Sequence, residues 1–148
     1  MITFSVGLDL GGNNITADTL VGTALSAKWA DLAEYYSADE LYEPGTLVKF
    51  GGKNEITEAL PGDTVNAVVT SRPGIVLNNK SVSSEGHMVA IALVGRTPVR
   101  VLGPVKKFDN LYLAAPGIAA VDSIACKLKA FNNTIVAKAL CDKEQEEF

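Results

Sequence analysis

The sequence of 148 residues predicts a mainly β fold: a small closed or partly closed β-barrel of short strands, with one short helix and an extended N-terminal arm. From residue 44 onward, short runs rich in Val, Ile, Leu and Thr follow one another, and Gly, Pro, Asn or Asp separates most of them. Such runs at roughly ten-residue spacing are typical of barrels and sandwiches. Residues 29–41 instead place apolar side chains at helical spacing. The chain length is that of one compact domain.

Residues 1–28 are predicted to form an extended arm used for assembly or docking. Residues 2–8 alternate in polarity with the period of a strand, and a Gly-Gly-Asn-Asn turn follows at residues 11–14. The next stretch has small side chains, which suit close packing between copies of the same chain, although a hairpin on the parent domain is an alternative. The candidate assembly residues are Ile15, Thr16, Ala17, Thr19, Leu20, Val21, Thr23, Ala24 and Leu25.

The β-barrel domain is predicted to span residues 29–148 and to begin with the helix. Trp29, Leu32, Ala33 and Tyr36 would share one face of that helix, and the Pro-Gly pair at residues 44–45 would prevent its continuation. Several carboxylates in this stretch are interpreted as a solvated face, with a cation or acid–base site as the alternative.

The strands are predicted from nine apolar runs that follow. In chain order they are TLVKF, TVNAVVT, GIVLN, MVAIALV, PVRVL, LYLAA, IAAVD, CKLKAF and TIVAKAL. A weak internal repeat is also present, because each half contains a strand, a Gly-containing turn, a second strand and then a valine-rich strand. Two such units facing each other would close a small barrel and remove most exposed edges.

Composition excludes several classes of protein. The net charge of −4 argues against binding nucleic acid or an anionic membrane surface, and no apolar run approaches the length of a membrane span. His87 is interpreted as the first residue of a strand, since a lone histidine cannot form a multi-histidine metal site. Cys126 and Cys141 are expected to be small buried residues, with a disulfide as the alternative. We therefore expect no metal and no cofactor.

Four blocks of sequence, in order, resemble the C-terminal β-rich domain of bacteriophage tail-fibre and related virion proteins. The blocks are WADLAEYYSADELYEPGTLVKFGG, VNAVVTSRPGIVLNN, VAIALVGRTPVRVLGPVKKFDNLYLA and VAKAL. They correspond to the family's "ADLAEYY…Y.PGT" opening, its "GVVS..P" strand, its "VALAGRVPVKV.GPVKKGD.L" hairpin and its final "IGKAL" strand. The resemblance covers about residues 15–141. Phe108 departs from the pattern, because the family commonly has glycine there and Phe rarely adopts positive φ.

The resemblance implies a non-enzymatic virion structural protein. It would form a homotrimer and act as a capsid decoration or as a short tail-fibre or tip component. Its other partners would be virion proteins such as the major capsid or tail protein, with assembly in the host cytoplasm. The structural motif residues are Asp31, Glu34, Tyr35, Tyr36, Pro44, Gly45, Gly95, Arg96 and Pro98.

The motif residues also have a physical interpretation of their own. The tyrosine rings would cover one end of the barrel while their hydroxyls stay hydrated. Pro44 and Gly45 would set the turn into the first barrel strand, and Pro98 would mark a bend or an edge. Arg96 is expected either to pair with a carboxylate near Tyr35 or to be an ordinary surface arginine.

Two alternative functions remain open. The related self-cleaving chaperone domains of phage fibres share the opening block, so a serine activated by a lysine or an aspartate is one alternative. Its candidates are Ser71, Ser81, Ser83, Ser84, Lys53 and Lys80, although residues 78–86 are more simply a polar loop. The other alternative is a tip that binds a host glycan through Trp29, Tyr35, Tyr36 and Tyr42, for which core packing is the competing interpretation.

Overall fold

The computed structural model describes residues 31–78, 87–127 and 134–144. The described elements, in chain order, are β1 (Asp31–Ala38), β2 (Leu47–Phe50), β3 (Ile56–Glu58), β4 (Ala67–Val69), β5 (Ile75–Leu77), β6 (His87–Gly95), β7 (Asn110–Ala115), β8 (Ile118–Val121), α1 (Asp122–Lys127) and β9 (Ile135–Lys138). The predicted mainly β fold with one short helix is confirmed. The predicted arm over residues 1–28 lies outside the described residues.

The larger sheet curls into a partly closed barrel, as predicted. Its strand order is β3-β2-β4-β6-β1-β5, and a further pairing of β3 with β1 closes a ring of five strands. That closure consists of a single parallel pair, Ala38 with Ile56. By contrast, β1 pairs with β6 along its whole length. The interior of the ring is filled by small and branched side chains, among which Val48, Ile56 and Ile91 are completely buried.

Side-chain hydrogen bonds reinforce the weak closure of the ring. The Asp39 carboxylate accepts hydrogen bonds from the backbone N–H groups of Lys53 (3.1 Å) and Asn54 in the β2–β3 hairpin. Glu55 accepts from both the N–H and the hydroxyl of Ser37, at 2.8 and 2.9 Å. The bond from Asn54 lowers the pKa of Asp39, and the bonds from Ser37 lower the pKa of Glu55. Both carboxylates therefore hold the hairpin best when ionised.

The smaller sheet repeats the connectivity of part of the ring. Its order is β8-β7-β9, with both neighbours antiparallel to β7. The order β3-β2-β4 in the ring has the same pattern, a hairpin whose first strand also pairs with the next strand. The internal repeat is thus present as a repeated strand pattern. The ring, however, is closed by β1 and β6, and the second unit forms a separate sheet instead of the other half of the barrel.

The two sheets are joined by backbone hydrogen bonds at the β7–β8 turn. Gly117 donates its N–H to the Ala59 carbonyl, and its own carbonyl accepts from Leu47 N–H, both at 2.9 Å. Between the sheets, Leu47 and Leu113 are completely buried in one apolar cluster. This cluster is distinct from the core inside the ring. The fold therefore has a second core at the junction of the sheets.

Three predictions of local structure are wrong. The predicted helix over residues 29–41 is strand β1 in its described part, because pairing with β6 along its whole length outweighs the short helical pattern. The helix is α1 instead, where Cys126 and Lys127 had been assigned to a strand. The predicted strand at residues 98–102 forms only an isolated bridge, Val101 with Ala119.

Candidate functional site

The motif residues of β1 are placed on both sides of the sheet. Asp31 is 5% exposed, and its backbone carbonyl and Oδ1 both accept from the Gly74 N–H, at 2.9 and 3.1 Å. The interpretation of the carboxylates as a solvated face is therefore wrong for Asp31.

Tyr36 packs against the ring core, and its ring centroid lies 5.4 Å from that of Phe50. Its hydroxyl donates to Glu34 at 3.0 Å.

Burial of Tyr36 and the nearby Glu34 carboxylate both raise the pKa of the Tyr36 hydroxyl above 10.0. This tyrosine is thus a structural residue, with its ring against the barrel and its hydroxyl tied to the same strand.

The turn containing Pro44 and Gly45 links the ring to the segment before the second sheet. Gly45 has a φ of +88°, its N–H donates to Val69, and its carbonyl accepts from Arg100 N–H at 2.9 Å. A Cβ at position 45 would lie 3.0 Å from both the backbone N and Cγ of Arg100. Glycine is therefore required here by the backbone conformation and by the close approach of the neighbouring chain.

The stretch from Gly95 to Pro98 forms the end of β6 and the bend after it. Gly95 has a φ of +120°, and Arg96 and Pro98 are exposed and lie outside any strand. Of the two expectations for Arg96, no ion pair with a carboxylate is present among the described residues, and its exposed side chain fits the alternative of a surface arginine. The arginine that pairs with Glu43 is Arg100, at 3.4 Å.

Two recesses lie on the surface of the described fold. The first, which we call the tyrosine cleft, has a volume of about 450 Å³ and lies beside the end of β4 and the start of β6. It is lined by Tyr35, Tyr42, Glu43 and Ser71, among others. The Tyr42 hydroxyl lies 3.3 Å from the Thr57 hydroxyl, which holds that ring in place.

The tyrosine cleft brings together only part of the predicted aromatic cluster. Tyr35 and Tyr42 line it, although Tyr42 also packs against the ring core, as Tyr36 does. Trp29 lies outside the described residues. Two aromatic rings beside a carboxylate and a hydroxyl form a surface that can stack against and hydrogen-bond a polyhydroxylated ligand.

The second recess, which we call the apolar groove, has a volume of about 800 Å³. It runs between the end of β6 in the large sheet and β9 in the small sheet, and most of its walls are Val, Ala, Leu and Pro. Sequence reasoning missed this groove, because its walls come from separate stretches of the chain, mainly within residues 65–68, 92–105 and 136–143, that only the fold brings together. The exposed apolar residues Leu93, Val94 and Leu140 line it, and their exposure is visible only in the folded chain.

Cys141 is free, exposed and on the wall of the apolar groove, so the expectation of a buried cysteine is wrong for this residue. The side chain of Cys126 lies outside the described part of the structure.

His87 begins β6, as predicted. Phe108 adopts a φ of +73° in the corner after Lys106, which is the conformation that glycine would favour.

The candidate nucleophile and base residues are only partly described. Ser71 lines the tyrosine cleft and Lys53 lies in the β2–β3 hairpin, and no hydrogen bond joins these two described residues. Lys80, Ser81, Ser83 and Ser84 lie outside the described residues.

No cluster of three metal-ligating side chains occurs in residues 31–78, 87–127 and 134–144. Within those same ranges, no helix is long and apolar enough to cross a membrane.

The predicted assembly residues from Ile15 to Leu25 also lie outside the described part of the chain. Asp31, the first described residue, pairs with Gly95 on the wall of the apolar groove. Strand β1 therefore begins beside that groove.

Comparison with known proteins identifies a similar fold. No protein-family model matches the chain, and no curated protein matches its sequence. Among solved structures, the chain is similar to the pre-mature gene product 12 of bacteriophage phi29, with a TM-score of 0.52 and 19% sequence identity. The match covers 74% of this chain but only 20% of that protein. The likeness is therefore one of fold, over a part of a much longer phage protein.

Proposed function

We propose that the chain is a non-enzymatic structural protein of a bacteriophage virion. The observation that carries this proposal is the similarity of its fold to part of a bacteriophage gene product. The sequence blocks that resemble phage fibre domains support it independently, because they coincide with the described strands β1, β2, β4, β6 and β7.

We further propose that the protein is a homotrimer and serves as a capsid decoration or as a short tail-fibre or tip component. Its arm would join copies to one another or to a capsid or tail protein. A partly closed barrel suits such a role, because closing the sheet pairs most strand edges and limits uncontrolled association. The apolar groove provides a surface on which a specific partner segment can pack.

The test combines light scattering with sedimentation. The purified chain is expected to have the mass of a trimer at micromolar concentration and to sediment with purified phage particles. Empty capsids and isolated tails, offered separately, distinguish decoration of the head from a place in the tail. A protein that sediments with neither would contradict the proposed virion role. A monomeric mass would contradict the proposed trimer.

A second candidate function is recognition of a host glycan by the tyrosine cleft. The specific observation is that Tyr35 and Tyr42 lie beside Glu43 and Ser71 in one recess. Aromatic rings pack against the apolar faces of sugars while carboxylates and hydroxyls bind sugar hydroxyls.

The test for glycan recognition is binding to a glycan array by the assembled protein. Tyr35→Ala is expected to abolish binding without unfolding the chain, and Ser71→Trp is expected to block the cleft. Phe108→Ala is the matched control, since that ring is 63% exposed and does not line the cleft. Absence of any bound glycan, or equal loss in the control, would remove this candidate.

A further inference from the structure

The apolar groove has an unusual wall, since two strands present edges to it that no described strand covers. In the small sheet, β9 is an outer strand, and residues 136–141 line the groove. In the large sheet, the pairing of β4 with β6 ends at Val68 and Ala92, so β6 continues for three residues beyond β4. Uncovered strand edges carry N–H and C=O groups that can pair with an added strand.

The side chains of the groove select an apolar, uncharged occupant. Val94 is 65% exposed, Leu140 is 50% exposed and Leu93 is 38% exposed. Exposed apolar side chains gathered in one recess are typical of an interaction surface.

The charges around the groove are mainly basic. Arg96, Lys138 and Lys143 line it together with a single carboxylate, Asp142. The Lys143 ammonium group donates to the Val101 carbonyl at 3.0 Å, which orients one of these charges. A groove of this kind favours an extended segment with small apolar side chains and, at most, a slight negative charge.

Residues 15–27 of this chain have that composition. The segment ITADTLVGTALSA consists of small, β-branched and aliphatic residues with a single charge, the aspartate at position 18. Its Thr, Val and Ile residues favour strands. Its small side chains allow a close approach to a neighbouring backbone.

The segment is tethered beside the groove. Asp31 pairs with Gly95, and only residues 28–30 separate Asp31 from Ala27, a reach of about 14 Å at most. Fully extended, the thirteen residues 15–27 span about 43 Å. A domain of this size has a diameter of about 35 Å, from a radius of gyration of about 13 Å. Residues 15–27 are therefore long enough, when extended, to span from their own domain to a neighbouring copy.

We propose that residues 15–27 of a neighbouring copy occupy the apolar groove and add a strand to the outer edge of β9. Exchange of one such segment in the same rotational sense around three copies closes a ring, which makes a trimer with every groove filled. This inference rests on the proposed homotrimer and names the surface that forms it.

The test uses Cys141 as a native probe, because its thiol is exposed and lies on the groove wall. A cysteine is introduced into the arm as Leu20→Cys, and Cys126→Ser removes the other thiol. Under mild oxidation, the assembled protein is expected to form disulfides between copies, seen as covalent dimers and trimers on a non-reducing gel. The matched control carries Cys141→Ser with Leu60→Cys, since Leu60 is 50% exposed and does not line the groove. It is expected to form no arm-to-domain link.

The outcomes separate this inference from the proposed function. Disulfides within single chains would overturn it by placing the arm on its own domain. A trimeric mass without any link from the arm to Cys141 would overturn the inference but leave the trimer standing. A monomeric mass together with no link would overturn both.

A second measurement changes the groove without adding thiols. Val94→Asp places a charge on the groove wall at a position exposed enough to tolerate it in the folded domain. It is expected to weaken association at least tenfold, measured by light scattering across a dilution series. Leu60→Asp, at a residue that is 50% exposed and lines neither recess, is the control and is expected to leave the mass unchanged. Equal association of Val94→Asp and the original chain would overturn the proposal.

Discussion

The junction of the two sheets provides a direct test of the packing described above. Gly117 has a φ of +63°, and a Cβ at this position would lie 2.6 Å from Thr46 Cγ2 and 2.6 Å from Glu58 Oε1. The Glu58 carboxylate can swing away. Thr46 cannot do so easily, because it is only 1% exposed and its backbone is held on both sides by hydrogen bonds to Glu43 and Val69. Gly117→Ala must therefore shift buried structure.

The expected loss of stability combines two effects. A non-glycine residue in the left-handed region costs about 1–2 kcal/mol. Overpacking a filled site by one methyl group costs about 1–3 kcal/mol more. We therefore expect Gly117→Ala to lower the free energy of unfolding by about 2–5 kcal/mol.

Gly62→Ala is the matched control. Gly62 also has a positive φ, +98°, but a Cβ there meets nothing within 4 Å. Gly62→Ala introduces the backbone strain without a steric contact, so we expect it to lower the free energy of unfolding by about 1–2 kcal/mol. Urea unfolding followed by far-ultraviolet circular dichroism measures both variants. Equal losses in the two variants would refute the conclusion that the β7–β8 turn is packed against Thr46.

Three further predictions follow from the fold. The native pKa values of Asp39 and Glu55 lie below their ordinary values of 3.8 and 4.5, so the unfolded state binds more protons in acid. We therefore expect the urea midpoint to fall as the pH decreases below about 4.5, and we expect Glu55→Gln to reduce that pH dependence. Phe108→Gly relieves a φ of +73° and is expected to stabilise the protein by about 0.5–1 kcal/mol in the same assay, whereas a loss of stability would show that the ring contact with Lys107 outweighs the strain. Leu113→Ala is expected to cost about 3 kcal/mol because Leu113 is completely buried between the sheets, and a cost below 1 kcal/mol would contradict that burial.

The strand runs were predictable because their residues are β-branched or aliphatic and turn residues separate them. β2, β6, β7 and β8 occur where the sequence pattern predicted them. The repeated hairpin followed by a third strand was also visible as a pattern of turns and valine-rich runs. These signals are local, so they can be recognised without knowing which strands pair.

β1 shows where local signals fail. Its apolar residues fit a helical face over one or two turns, and a pattern that short is too weak to decide between helix and strand. Pairing with β6 on one edge and with β5 and β3 on the other decides the outcome. The same argument applies to residues 98–102, which are apolar but find only one bridge to the small sheet.

The sequence by itself determined a mainly β fold of short strands, the turns at Pro44-Gly45 and after Gly95, and the likeness to phage fibre domains. Those features depend on composition and on residues close together in the chain. Only the tertiary structure decided which strands close the ring, which arginine pairs with Glu43, and where the apolar groove lies. Each of these features depends on contacts between residues far apart in sequence, and such contacts are set by packing and strand pairing over the whole domain.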